Sequence, residues 1–136
     1  MIKQLTFSMT RQGLHSITPA VSECVERHFK GQDGLCTLFI KHTSASLLIQ
    51  ENYDDSARKD LESWLNRLVP ENDPLYTHTL EGADDMPAHI KAALTASCLT
   101  IPIIDGQLAL GTWQGVYLWE HRHAAAKRMV ILHLSR

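Results

Sequence analysis

Gly34-Leu-Cys-Thr-Leu-Phe-Ile40 runs into Lys41-His42-Thr43-Ser44-Ala45-Ser46 and then into Leu47-Leu-Ile-Gln-Glu-Asn52. The first run opens on glycine and is almost continuously apolar. That pattern predicts a central strand covered on both faces. Residues 47–52 fit a strand or a helix by pattern alone. The strand reading is preferred, because Asn52-Tyr-Asp-Asp55 has the composition of a break before a helix. Small hydroxyl residues and one histidine interrupt the two apolar runs.

Working outward toward the N-terminus, Ile2 to Met9 alternates as a strand. Thr10-Arg-Gln-Gly13 is a turn and Leu14 to Ile17 a short return, so a hairpin is expected there. Thr18 is expected to cap a helix with Pro19 in its first turn, carrying Val21, Cys24, Val25 and His28 and ending near Lys30-Gly31.

Toward the C-terminus, Ala57, Leu61, Trp64, Leu65 and Leu68 form a helical stripe with Pro70 beyond it. Residues 70–83 lack periodicity, and loops of that length are often functional. A helix begins near Asp85, carries Ile90, Ala93 and Leu94 and stops near Ser97. Cys98 to Ile101 is a strand, with Pro102 at an edge or irregular end. Asp105-Gly106 marks a hairpin turn before Gln107 to Leu110. Gly111 and Gly115 flank Trp113 in a bulge or corner. Trp113 itself reads as core or interface. Val116 to His121 and Arg128 to Leu134 are the last strands. Strands thus dominate, three helices lie between them, and hairpin links make the sheet mostly antiparallel or mixed. The class is α+β, with helices packed on the sheet, in a single domain over residues 1–136.

The 136 residues are 44% apolar and 21% charged, with formal net charge −2. This balance suits a globular domain and offers no field for nucleic acid or a membrane surface. Met1-Ile-Lys-Gln-Leu-Thr-Phe7 does not read as a signal peptide, and no apolar run approaches bilayer length. Cys24, Cys36 and Cys98 are odd in number and widely spaced. They fit a reducing, cytoplasmic setting better than a disulfide framework or a four-cysteine zinc site.

Chemistry concentrates in His78-Thr-Leu-Glu81-Gly82-Ala-Asp84-Asp85-Met-Pro87-Ala-His89. Gly82 permits a turn with positive φ. Asp84 or Asp85 is expected to cap the helix, and Pro87 is tolerated in a first turn. Once helical, Asp85 and His89 share a face. Two further polar knots, His42-Thr43-Ser44 and Glu120-His121-Arg122, end apolar runs, and the three are expected to meet around one pocket. His15, His28, His123 and His133 lack such company and read as surface or packing.

Lys41-His42-Thr43-Ser44-Ala45-Ser46, Glu51-Asn52, Asp60-Leu61, Glu81 through Lys91, Gly111-Thr112-Trp113-Gln114-Gly115 and Glu120-His121-Arg122 together resemble the YjbQ family. The match spans the chain, in order. The resemblance implies an α+β fold, a homotrimer with polar residues near subunit contacts, and a secondary thiamine-phosphate synthase activity. That reaction joins a pyrimidine pyrophosphate to a thiazole phosphate and expels pyrophosphate. The chain carries neither a DDxxD-like carboxylate array nor a cluster of arginines for it.

Two chemical readings fit. In one, His42, His78 and His89 hold a divalent metal, zinc or magnesium, assisted by Glu81 or Asp85. In the other, His42 and His89 act as general acid or base with Glu81 orienting them, and the helix start binds the phosphate of a small molecule. Thr43, Ser44, Asn52, Asp85, Gln114 and Glu120 are the candidate ligand contacts. Glu120 is further expected to orient an imidazole. The rival class is a non-catalytic, metal- or ligand-binding trimeric assembly module whose polar cluster holds subunits together.

Overall fold

A computed structural model describes residues 1–136. Eleven elements follow in order: β1 Ile2–Met9, β2 Gly13–Ser16, α1 Thr18–His28, β3 Gly34–Ile40, β4 Ala45–Glu51, α2 Asp55–Leu68, α3 Asp85–Leu94, β5 Cys98–Ile104, β6 Gln107–Leu108, β7 Gln114–Glu120 and β8 Ala126–Ser135. Two sheets result, ordered β1-β8-β3-β5-β6 and β2-β7-β4. Every pairing is antiparallel. The α+β class holds.

The main core lies between the sheets. Cys36, Leu38 and Ile40 of β3 meet Val130, Leu132 and Leu134 of β8 on one side. Ala45, Leu47, Val116 and Leu118 approach from the smaller sheet, and Val21 and Val25 of α1 close one end. The opposite face of the smaller sheet carries a second cluster, where Leu14, Tyr117 and Trp119 lie under Leu65 and Val69, with Ile90 of α3 packed against it. Residues i and i+2 share a face of a strand, so β7 sends Val116 and Leu118 inward and Tyr117 and Trp119 to the helices.

The doubly covered strand is therefore β7, buried from Gly115 to Glu120, and not β3. In β3, Leu35 and Phe39 are 45% and 47% exposed, and only the Cys36–Leu38–Ile40 face is buried. A continuous apolar run cannot tell a second protein face from open solvent.

Several local expectations are corrected. β1 and β2 do not pair with each other; β1 joins β8 and β2 joins β7, so the turn carries the chain between sheets. Ile17, not Thr18, holds the cap position of α1. Thr18 Oγ1 instead accepts from Val116 N at 2.8 Å, tying the helix start to β7. Along α2 only Leu65 is buried, while Trp64 and Leu68 are each 53% exposed. α3 ends at Leu94, short of Ser97. Pro102 lies inside β5, neither at an edge nor at a strand end. Its carbonyl accepts from Ala109 N at 2.8 Å, so its missing donor faces the same side, toward the two-residue β6, where no ladder needs it. Asp105 and Gly106, at φ 50 and 79, form the expected tight turn.

Candidate functional site

α3 begins at Asp85, and its first turn accepts Pro87 because early helical N–H groups have no carbonyl partner. One turn later comes His89, on the same face as Asp85. Asp84 holds the N-cap position, as one of the two expected candidates, but its side chain makes no cap hydrogen bond. Both carboxylates are engaged elsewhere. Asp84 accepts from His123 N at 2.8 Å and pairs with Arg122. Asp85, only 3% exposed, is the hub of the cluster.

His78 Nε2 lies 2.6 Å from Asp85 Oδ2, and His89 Nε2 lies 3.3 Å from the same oxygen. The two rings meet edge to face with centroids 5.4 Å apart. Glu81 Oε2 stands 3.3 Å from His78 Nε2. The chain reverses at Gly82, whose φ of 109 is a conformation that side chains resist, and this turn brings residues 78–81 back over the helix start. The other oxygen of Asp85 accepts from Arg122 Nη1, while Arg122 Nη2 donates to Glu81 O at 2.8 Å. One guanidinium thereby joins the helix, the loop and the end of β7.

These contacts set the charges. Burial acts to raise the Asp85 pKa, but the hydrogen bond from His78 and the Arg122 charge outweigh it and hold the carboxyl below its ordinary value. The hydrogen bond to Asp85 lifts His78 above the usual imidazole range. A ring nitrogen of His78, a carboxylate oxygen of Asp85 and a ring nitrogen of His89 all lie within 4.8 Å of one another, a donor set that suits a divalent metal. Two imidazoles and one carboxylate favour zinc over magnesium, which prefers oxygen. His78 and His89 side chains are 44% and 36% exposed, so the open side of the cluster faces solvent.

The third expected histidine is elsewhere. His42 Nε2 accepts from Met129 N at 2.9 Å, and within one chain His42 lines a different cavity with Lys41, Thr43 and Ser44. Burial and the nearby Arg128 charge push its pKa down, so its exchangeable proton sits on Nδ1. The knot 120–122 does touch both others. His121 N donates to Ser44 O at 3.2 Å, and Arg122 reaches Asp85.

Glu120 makes no hydrogen bond to an imidazole. It is fully buried and bonded bidentately to Arg128, with Nε to Oε1 at 2.7 Å. His121 bonds Ser46 Oγ at 2.9 Å instead, and burial drives its pKa down to about 3. Asn52 and Gln114 tie off backbone: Asn52 Nδ2 donates to Gln114 O at 3.1 Å, and Gln114 Oε1 accepts from Gly111 N at 2.8 Å. They sit at the opposite end of β7 from Glu120, about 20 Å away by strand rise.

Sequence reasoning assigns no site role to Lys91 or Arg128, and it places His121 and Arg122 at the pocket only as members of the 120–122 knot, with no role of their own. Arg122 stands inside a quoted motif, yet its partners lie 37 and 41 positions away. His123, read as surface, is exposed but pairs its ring with Glu71 at 2.6 Å.

A two-sheet α+β scaffold presenting a His–Asp–His cluster at a helix start defines the class of this protein. The family model for UPF0047 protein YjbQ-like proteins matches residues 3–136, and the chain belongs to that family. It is 48% identical over 131 residues to UPF0047 protein sll1880 of Synechocystis, covering 96% of this chain and 88% of that one. Identity to UPF0047 protein YjbQ of Escherichia coli O157:H7 is 40% over 129 residues, 94% of this chain and 93% of the other. The crystal structure of the conserved hypothetical protein TT1486 from Thermus thermophilus superposes with TM-score 0.85 at 34% identity, over 98% of this chain and 99% of that one. A YjbQ/UPF0047 protein of Clostridium acetobutylicum does so at 0.83 and 33%, over 99% of both.

Proposed function

We propose that His78, Asp85 and His89 hold one divalent metal ion, zinc by the chemistry of the donors, and that the open side of this site takes the phosphate of a small phosphorylated molecule. The observation that carries the reading is the convergence of two imidazole Nε2 atoms on one carboxylate oxygen. Arg122 fixes the other oxygen and so sets the direction of the first. Without metal, a proton on an imidazole serves the same oxygen. Metal binding therefore releases protons and weakens at acid pH, where His78 holds its proton most firmly. A metal held there would supply Lewis-acid stabilisation to phosphate oxygens, and Glu81, 3.3 Å from His78, is placed to accept a proton at its carboxylate.

Thiamine-phosphate synthase chemistry, implied by the family resemblance, would here be a slow secondary reaction. The cluster's one arginine is already committed to Asp85 and Glu81. Pyrophosphate departure needs more positive charge than that.

The test is metal analysis and calorimetric titration of zinc, then of a phosphate ester, into the parent and His89→Ala proteins. We expect the variant to lose metal, and the ester to bind the parent at least about tenfold more tightly, the value of one charge-assisted contact. Equal metal content in both proteins would refute the site and favour the non-catalytic assembly module.

The same reading includes a homotrimer and a cytoplasmic location, the latter supported by three unpaired cysteines. The outer face of the larger sheet, with Ile2, Leu35, Phe39 and Ile104 exposed, supports assembly, since apolar side chains in open water call for a partner. A neighbouring chain could then bring His42, Thr43 and Ser44 to the metal cluster. Sedimentation equilibrium is expected to return three chain masses; a concentration-independent monomer would end the idea.

A further inference from the structure

Lys91 follows His89 by two positions, about 200° round the helix, so it points away from the metal-binding face. It is 3% exposed. Its Nζ donates to Asn66 Oδ1 at 2.6 Å, the ammonium's one hydrogen bond, and it takes part in no ion pair. Two carboxylates act on it from a distance, Glu71 and Asp84, but Glu71 is bonded to His123 and Asp84 to Arg122 and His123. A buried ammonium whose only partner is a neutral amide is costly unless something supplies the missing charge.

Lys91 borders a cavity of about 360 Å³, with Gln12, Asn66, Val69, Pro70, Glu71 and His123 around it. That volume exceeds the needs of a bare ion and falls at the small end of organic ligand sites. Two of the three ammonium donors are unused. Asn66 Nδ2 is a further donor, and Gln12, which gives one amide hydrogen to His121 O, retains another. Val69 and Pro70 add an apolar wall.

We propose that this cavity is a second binding site, for a small organic anion, whose negative head, carboxylate or phosphoryl, lies on Lys91 Nζ and whose apolar part lies on Val69 and Pro70. The site is separate from the His78–Asp85–His89 cluster, though both draw on α3, and His123 on the cavity wall directly follows Arg122 of the cluster. A bound anion supplies the charge that the fold leaves out.

Titration calorimetry and thermal unfolding in EDTA, with inorganic phosphate and with butyrate as probes, test this without any metal contribution. The parent should bind at least one probe and unfold at a higher temperature with it. Binding of phosphate alone assigns a phosphoryl head, and binding of butyrate alone a carboxylate. His89→Ala should keep the binding. Lys91→Met should weaken it by at least about tenfold. If that variant does not fold, Asn66→Asp decides, because it sets a permanent carboxylate against Nζ from an exposed helix position. Asn66→Asp should abolish probe binding and raise the unfolding temperature of the ligand-free protein. Absence of binding by the parent up to tens of millimolar, or undiminished binding by Asn66→Asp, would overturn the proposal.

Discussion

Arg122 is the residue on which the geometry of the His78–Asp85–His89 cluster turns. Its side chain is 25% exposed, yet it contacts Asp85, Asp84 and the Glu81 carbonyl at once. A planar guanidinium offers donors in fixed directions, so it can aim a carboxylate as well as neutralise it. Arg122→Met would leave the buried Asp85 carboxylate with only the two histidines. Urea unfolding should show a loss of about 1–2 kcal/mol, discounted for partial exposure. At the proposed zinc site, affinity should fall with it, since the Oδ2 direction is no longer held. Arg122→Lys should recover part of the stability and less of the metal affinity, because an ammonium is a point charge without a fork.

At the scale of elements, β7 connects everything. It is the middle strand of the smaller sheet, packs against the main core on one face and under the helices on the other, and ends in Glu120. The Glu120–Arg128 pair then joins β7 to β8, strands of different sheets, with Glu120 fully buried and Arg128 6% exposed. Removing one partner strands the other charge in the interior, at a cost of about 3–5 kcal/mol. Glu120→Gln should therefore lower the denaturation midpoint sharply. The double variant Glu120→Gln with Arg128→Met should lose much less than the sum of the single losses. Additive losses would show that the pair does not act as a unit.

Across the whole molecule, pH reports the buried histidine. His121 has a folded pKa of about 3 against an ordinary 6.5, from burial first and the Lys91 and Arg128 charges next. The unfolded chain thus binds a proton that the folded one refuses. Stability should fall as pH drops from 6.5 toward 3, by an amount on the order of 4 kcal/mol. Asp84 and Asp85, both held below the ordinary carboxylate value, add losses at the acid end of that range. His78 works in the opposite sense: its raised value stabilises the fold at low pH, and that contribution disappears as pH rises through it. Denaturation followed from pH 7 to 3 should show the net acid loss. His121→Gln, which can still bond Ser46, should flatten the curve, and an unchanged slope would contradict the assignment.

Periodicity and turn chemistry determined most of the elements. β4 was legible as a strand because Asn52-Tyr-Asp-Asp55 breaks the chain, and Asp54 does cap α2, accepting from Ser56 N at 2.9 Å. Asp105-Gly106 was legible because few dipeptides accept two positive φ values. The sharing of a helix face by Asp85 and His89 follows from the 3.6-residue turn. Tertiary structure alone decided which strands pair and which faces are covered. β1 and β2 are neighbours in sequence but lie in different sheets, and β3 reads as doubly covered although β7 is the strand that is. It also decided the company of the polar residues. His42 was expected beside His78, but a backbone N–H of β8 holds it, and Arg122 took the place at Asp85. Lys91 carries no local mark that separates it from a solvated helix lysine. Its burial depends on α2 crossing nearby, through Asn66, 25 positions earlier. Local pattern encodes the direction of a side chain relative to its own element. Only packing between distant segments determines what it meets there.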